Sequence, residues 1–235
     1  MTIAAIVHPM LTPVLWAFST LLIVTLCAML ATRRGPEIAI GVFAALTVLA
    51  NLMAVKLIAF GPFIAPAAVL VYASTFLMTD ILSELFGKEK ARLAVWTGFL
   101  ANLVMVVSVL IAVSWPAASI MDPELAQAFH TVFGFAPRVV LASMVAYLVS
   151  QHHDIWAYNF WRKKTNGRHL WLRNNASTMG SQLVDTAIFI TLAFYGLVPN
   201  TVIWQMLLGQ YVIKLLIAAL DTPFMYIAVE AAKRQ

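Results

Sequence analysis

Two carboxylates four residues apart, Asp80 and Glu84, stand at the end of an apolar run that begins at Phe63. On a helix this spacing places both on one face. Thr79 and Ser83 form a neutral polar pair on an adjoining face. Residues 63–78 carry no charge, so the pair sits within or just inside a membrane. Ionisable groups are costly there and mark binding, proton transfer or interhelical pairing. The same depth argument selects Asp185 and Lys214, each about midway along an apolar segment. Their helices are consecutive and antiparallel, so the two can pair directly. Asn51, Gln151, Asp154 and Gln182 add amides and a further acid. Together these eight residues can line a polar cavity in an apolar bundle. Carboxylates accept from N–H donors, and Asn, Gln and Lys complement carbonyls and ring nitrogens. Tyr72, Phe76, Phe189 and Tyr211 offer stacking surfaces. Such a set suits a flat heterocycle with amide-like edges. A purely structural alternative keeps Glu84 at headgroup level, pairs Asp80 with a neighbouring helix and makes Asp185–Lys214 a simple ion pair.

Other chemistries find less support. His152 and His153 are adjacent, so they diverge on a helix, and no metal-ligand spacing is visible. Cys27 is the only cysteine, which rules out an intrachain disulfide. No Gly-x-Ser-x-Gly elbow or other nucleophile set occurs. The chain reads as a non-enzyme with no metal or cofactor. No ring of one charge type suggests an ion channel.

The elements that must position these groups are membrane helices. Of 235 residues, 62% are hydrophobic and only 11% charged, against about 25% charged in soluble domains. The mean hydropathy is +0.88. The net charge of +5 is gathered in short loops, which fits membrane topology better than nucleic-acid binding. A span needs roughly 20 apolar residues. Seven segments are predicted: 13–32, 37–58, 63–86, 93–115, 138–152, 176–198 and 202–231. Gly61-Pro62 makes an uncharged turn. Pro123 and Pro137 bracket a short interfacial helix. The fifth span continues as helix past Trp161. Asn174-Asn175 caps the sixth, and Pro223 kinks the seventh. The expected fold is an all-α polytopic bundle forming one membrane domain.

Arg33-Arg34, Lys88 to Arg92, Arg162 to Arg173 and Lys233-Arg234 fall on alternate connections. By the positive-inside rule the amino terminus is outside and the carboxyl terminus cytoplasmic. The small residues Ala17, Ala28 and Ala31, or the sparsely polar fourth helix, offer a homodimer face.

Several stretches resemble the putative vitamin uptake transporter family. They are Asn51 to Lys56; Thr79-Asp80 with Phe86-Gly87 and Ala91-Arg92; Gln151 with Asp154 and Arg162; Ala176-Ser177-Thr178 with Asp185-Thr186; and Lys214 with Pro223 and Tyr226. The likeness runs from about Ile38 to the carboxyl end. It implies an extra amino-terminal helix (1–36) on a transporter core (37–235) similar to the substrate-binding subunits of energy-coupling-factor importers. It further implies uptake of a queuosine precursor, 7-cyano-7-deazaguanine or its aminomethyl relative, across the bacterial inner membrane. The implied mechanism is a secondary transporter's alternating access, without an ATPase. By the same resemblance the purine contacts are Asn51, Asp80, Gln151, Asp154, Gln182, Asp185 and Lys214. A guanine-like edge would meet Asp80 or Asp185, and its carbonyl Lys214 or Asn51. Proton coupling through Asp80, Glu84 or Asp185 stays open, as does a binding subunit or a carrier of another vitamin-like heterocycle.

Overall fold

Backbone groups taken out of water must pair within their own segment, and the apolar runs accordingly fold as helices. The computed structural model describes residues 11–54, 56–60, 63–134 and 137–234. Its elements are α1 (Leu11–Arg34), α2 (Glu37–Met53), β1 (Leu57–Phe60), β2 (Phe63–Pro66), α3 (Ala68–Leu85), α4 (Lys88–Ser114), α5 (Pro123–Phe133), α6 (Pro137–Lys164), α7 (Leu170–Phe194) and α8 (Asn200–Lys233).

All seven predicted segments are largely helical, and α5 is the short helix expected after Pro123. Among the described residues, however, four helices are long and apolar enough to cross a membrane. These are α1, α3, α4 and α8, with a fifth span if α5 and α6 count as one bent unit. The shortfall from seven has a physical cause. α2 has only 17 residues, and α6 and α7 carry polar side chains that they turn inward.

Several boundaries differ from expectation. α2 stops at Met53 rather than Ile58, and Lys56 lies beyond it, exposed. β1 and β2 pair antiparallel, with Leu57 opposite Pro66 and Phe60 opposite Phe63. An apolar run without period fits a strand as well as a helix. The expected turn at Gly61-Pro62 lies outside the described residues. α7 begins at Leu170 rather than Ala176, after His169 in a left-handed conformation (φ 57°). Asn174 is therefore no cap but lies within the helix. α7 ends at Phe194, short of Val198. There Arg138 donates from Nε to the carbonyl of Leu192 and from Nη2 to that of Tyr195, both at 2.7 Å. This cation at a helix C-terminus satisfies orphan carbonyls. α8 is one helix with Pro223 inside it.

α3 is the central helix, buried from Ala73 to Ser83 and packed against α1, α2, α4, α6, α7 and α8. α1 contacts α2, α3 and α8, burying Ala17, Ala28 and Ala31. That small-residue face is thus taken up inside the chain and is not free for a dimer, contrary to expectation. α4 buries Ala91, Ala94, Val95, Gly98 and Asn102, and exposes Leu100, Val104 and Ile111.

Gly98 permits that packing. A Cβ there would stand 2.6 Å from Tyr147 Oη and 2.9 Å from Phe43 Cε1. Tyr147 cannot swing away freely, because its hydroxyl donates to the Val95 carbonyl at 2.7 Å. Overpacking a fitted core costs about 1–3 kcal/mol. Gly98→Ala is expected to lower the thermal unfolding midpoint of the detergent-solubilised protein. An unchanged midpoint would show that α4 and α6 separate cheaply.

Candidate substrate-binding site

The carboxyl half of α2, the start of α3, the middle of α4 and parts of α6, α7 and α8 surround a cavity of about 700 Å³, counting its mouth. Of the eight predicted residues, Asn51, Asp185 and Lys214 line it.

Asp185 and Lys214 do pair. Lys214 Nζ lies 2.5 Å from Asp185 Oδ2 and donates to Thr186 Oγ1 at 3.1 Å. The other carboxylate oxygen, Oδ1, accepts from Tyr72 Oη at 2.8 Å and Ser150 Oγ at 3.0 Å. The ammonium also stands 5.4 Å from the Tyr72 ring centre, within cation–π range. Four helices thus fix one carboxylate: α3 through Tyr72, α6 through Ser150, α8 through Lys214, and α7, which carries it. Charge-assisted bonds of this kind are the strong ones, so the acceptor is preorganised before any ligand arrives.

A second polar group borders the same cavity. Asn51 Nδ2 donates to Asn102 Oδ1 at 2.5 Å, and Asn102 Nδ2 to the Gly98 carbonyl at 2.9 Å. Ser143 Oγ donates to Asn51 Oδ1 at 3.2 Å. Gln210 also lines the cavity, and its Oε1 is buried without a donor. Phe99 and Phe189 supply apolar surface, whereas Phe76 is fully buried beside Tyr72 rather than in the lining. Tyr211, expected as a stacking surface, donates to the Met179 carbonyl at 3.3 Å and is not among the lining residues.

The other five predicted residues lie away from the lining. Asp80, Gln151, Asp154 and Gln182 are completely buried. Gln151 Nε2 donates to Thr75 Oγ1 at 2.9 Å. Asp80 Oδ2 has Ser177 and Thr178 hydroxyls at 3.4 Å. Neither polar atom of Gln182 has a partner. Glu84 meets Arg173 in two contacts, Nη2–Oε1 at 2.7 Å and Nε–Oε2 at 3.2 Å. Arg162 stands 3.6 Å from Glu84, and Tyr158 Oη donates to it at 2.9 Å. Asp80 and Glu84 do share a face: they meet α7 one turn apart, at Ser177 and Arg173. Sequence reasoning passed over Asn102, Ser143 and Ser150. Asn102 had a signal, as the one large polar side chain in the fourth segment. The two serines had none, because hydroxyls satisfy themselves on their own helix at any depth.

The sequence profile described as "Putative vitamin uptake transporter" matches residues 66–228. The chain is 38% identical over 185 residues to a "Probable queuosine precursor transporter" of Bacillus subtilis (strain 168), covering 77% of this chain and 79% of that protein. It is 29% identical over 126 residues to a Haemophilus influenzae protein of the same description, covering 54% and 50%. It is 30% identical over 123 residues to the "Queuosine precursor transporter" of Escherichia coli (strain K12), covering 51% of each. No solved structure matches the chain.

Proposed function

The chain belongs to the putative vitamin uptake transporter family, and on that premise we propose that it imports a queuosine precursor, a 7-deazaguanine, across the bacterial cytoplasmic membrane. The observation that carries this reading is a preorganised carboxylate on the wall of a half-apolar cavity between membrane helices. A guanine-like edge offers N1–H and an exocyclic amine side by side, which one carboxylate accepts together. Asp185 borders the cavity and Asp80 does not, which favours Asp185 for this role. The Asn51–Asn102 pair, or Lys214, then meets the ring carbonyl, and Phe189 or Phe99 covers the ring face. Alternating access without an ATPase fits a site built from six helices of one chain.

Orientation follows from charge. Lys90 pairs with Glu37 at 3.1 Å, Arg173 with Glu84 at 2.7 Å, and the Trp171 amide donates to Tyr226 Oη at 3.3 Å. These contacts gather the basic connections at one end of the bundle. The positive-inside rule makes that end cytoplasmic, so the cavity lies in the outer half and the amino terminus outside.

The test is uptake of radiolabelled 7-cyano-7-deazaguanine, and separately of its aminomethyl relative, by cells unable to make either. Accumulation that depends on the protein is expected for at least one. Neither compound entering, with the protein verified in the membrane, would overturn the reading.

Within this reading the two asparagines act as a unit, so their replacements are not additive. Asn51→Leu takes from Asn102 Oδ1 its donor, and Asn102→Leu leaves Asn51 Nδ2 only the Thr47 carbonyl at 3.3 Å. Leaving one buried polar group unsatisfied costs about 1–3 kcal/mol, roughly tenfold to a hundredfold in affinity. The double variant is expected to bind the precursor no more weakly than either single one, measured by equilibrium binding to purified protein. Strictly additive losses would mean that the two amides contact the ligand independently.

A further inference from the structure

Beneath the cavity, towards the basic end, lie three carboxyls with no cation among them. Asp80 of α3, Asp154 of α6 and Asp221 of α8 are exposed by 0%, 0% and 1%. Asp80 and Asp154 stand within hydrogen-bonding reach of each other. Asp221 is near enough to act on both through space. The cations on neighbouring turns are committed elsewhere, Arg173 to Glu84 and Lys214 to Asp185. Tyr158 is also committed, to Glu84. On the fourth side, α7 contributes only hydroxyls and an amide.

Each carboxyl has one oxygen without a donor: Asp80 Oδ1, Asp154 Oδ1 and Asp221 Oδ2. Three ions there would each carry a desolvation penalty of several kcal/mol, offset by no cation and only by the hydroxyls of Thr79, Ser177 and Thr178 at 3.3–3.4 Å and the Asn174 amide at 2.7 Å. Two carboxyls in contact share a proton rather than both ionise.

An independent sign comes from Asn174. It is fully buried and donates from Nδ2 to Asp221 Oδ1 at 2.7 Å, yet its own Oδ1 has no donor. An ionised Asp221 cannot supply one; a protonated carboxyl can. A metal ion is a poor occupant. Among the described residues, no three His, Cys, Asp or Glu side chains stand close enough to hold one.

We propose that Asp80, Asp154 and Asp221 form a proton-binding site whose loading and release couple substrate import to proton entry. This rests on the transport reading above. The proton arrives from water on the outer side and leaves to water on the cytoplasmic side, with no other reactant. The link to the cavity is physical. Ser150, which holds Asp185, precedes Gln151. Thr79 Oγ1 lies 3.3 Å from both Gln151 Oε1 and Asp154 Oδ2. A ligand that shifts Asp185 therefore moves the turn of α6 that carries Asp154. Half-buried His153, 2.9 Å from Ser181 Oγ, offers a lateral relay, since Ser181 in turn reaches Asp154.

Two measurements test this on the purified full-length protein. Infrared spectroscopy at neutral pH, without substrate, should show a protonated-carboxyl band that weakens in Asp80→Asn, Asp154→Asn and Asp221→Asn. No such band, or one that none of the three changes alters, overturns the site. This arm stands even if no deazaguanine is carried. In proteoliposomes, an inward proton gradient should raise precursor accumulation at least tenfold over no gradient, with sodium and potassium buffers equivalent. Accumulation indifferent to the proton gradient, or dependent on sodium, overturns the coupling. Absence of any precursor uptake by wild type would sink the transport reading, and the infrared arm would still decide the proton site. Asparagine is nearly isosteric with aspartate, and each variant is compared only where it purifies as a single species.

Discussion

Asp185→Asn and Lys214→Met, made singly, destabilise the protein and abolish uptake, whereas the double variant regains stability and stays inactive. The pair is almost wholly buried, with side-chain exposures of 7% and 2%. Removing one partner strands the other as an uncompensated ion, at a cost of about 3–5 kcal/mol. Neutralising both removes that cost, and buried pairs replaced together are often neutral in stability. Asparagine at 185 still offers an oxygen to the hydroxyls of Tyr72 and Ser150. What it cannot do is accept two N–H donors along one edge as a carboxylate does. The double variant thus separates two roles that the single variants confound. Thermal unfolding in detergent reads the first role and uptake of the labelled precursor the second. Recovery of uptake along with stability would make the pair a structural element only, and the ligand's acceptor would have to be sought elsewhere.

Much of this was legible in the sequence because depth in a membrane is a one-dimensional quantity. Asp185 and Lys214 could be matched by position along two antiparallel segments, and the 2.5 Å contact is what such matching implies. Rotation about a helix axis is not one-dimensional in that sense. Whether Asp80 faces the cavity or the acid cluster depends on how α3 is turned against six neighbours, and spacing alone could not say. The same limit hid Asp221, two residues before Pro223. It is in fact held by Asn174 across the α7–α8 interface. The β1–β2 hairpin was missed for another reason. Leu57–Pro66 is apolar almost throughout, so neither a period of 2 nor one of 3.6 stands out. Helices α6 and α7 show the reverse. Their inward polar residues, which lower their hydropathy, are the ones that build the site.

Glu84 and Arg173 supply the contrasting case, in which a buried ion pair is expected to be dispensable for transport. Glu84→Leu alone is expected to cost about 3–5 kcal/mol, since it leaves the buried Arg173 without its partner, and Arg173→Met less, since Arg162 still stands 3.6 Å from Glu84. Arg173 also donates to the carbonyls of Gly167 and Arg168 at 3.0 and 3.1 Å. Both residues are exposed, so water replaces those bonds when the guanidinium is lost. The Tyr158 hydroxyl is different. It is fully buried and uses Glu84 as its acceptor, so removing the pair strands it unless Tyr158→Phe is added. The triple variant Glu84→Leu, Arg173→Met, Tyr158→Phe should therefore unfold near the wild-type temperature and retain precursor uptake. The pair lies outside the cavity, and what it contributes is the junction of α3, α6 and α7 at the basic end. Loss of uptake in a triple variant that unfolds normally would overturn this. It would mean that the junction moves during transport and that Glu84 belongs to the moving parts.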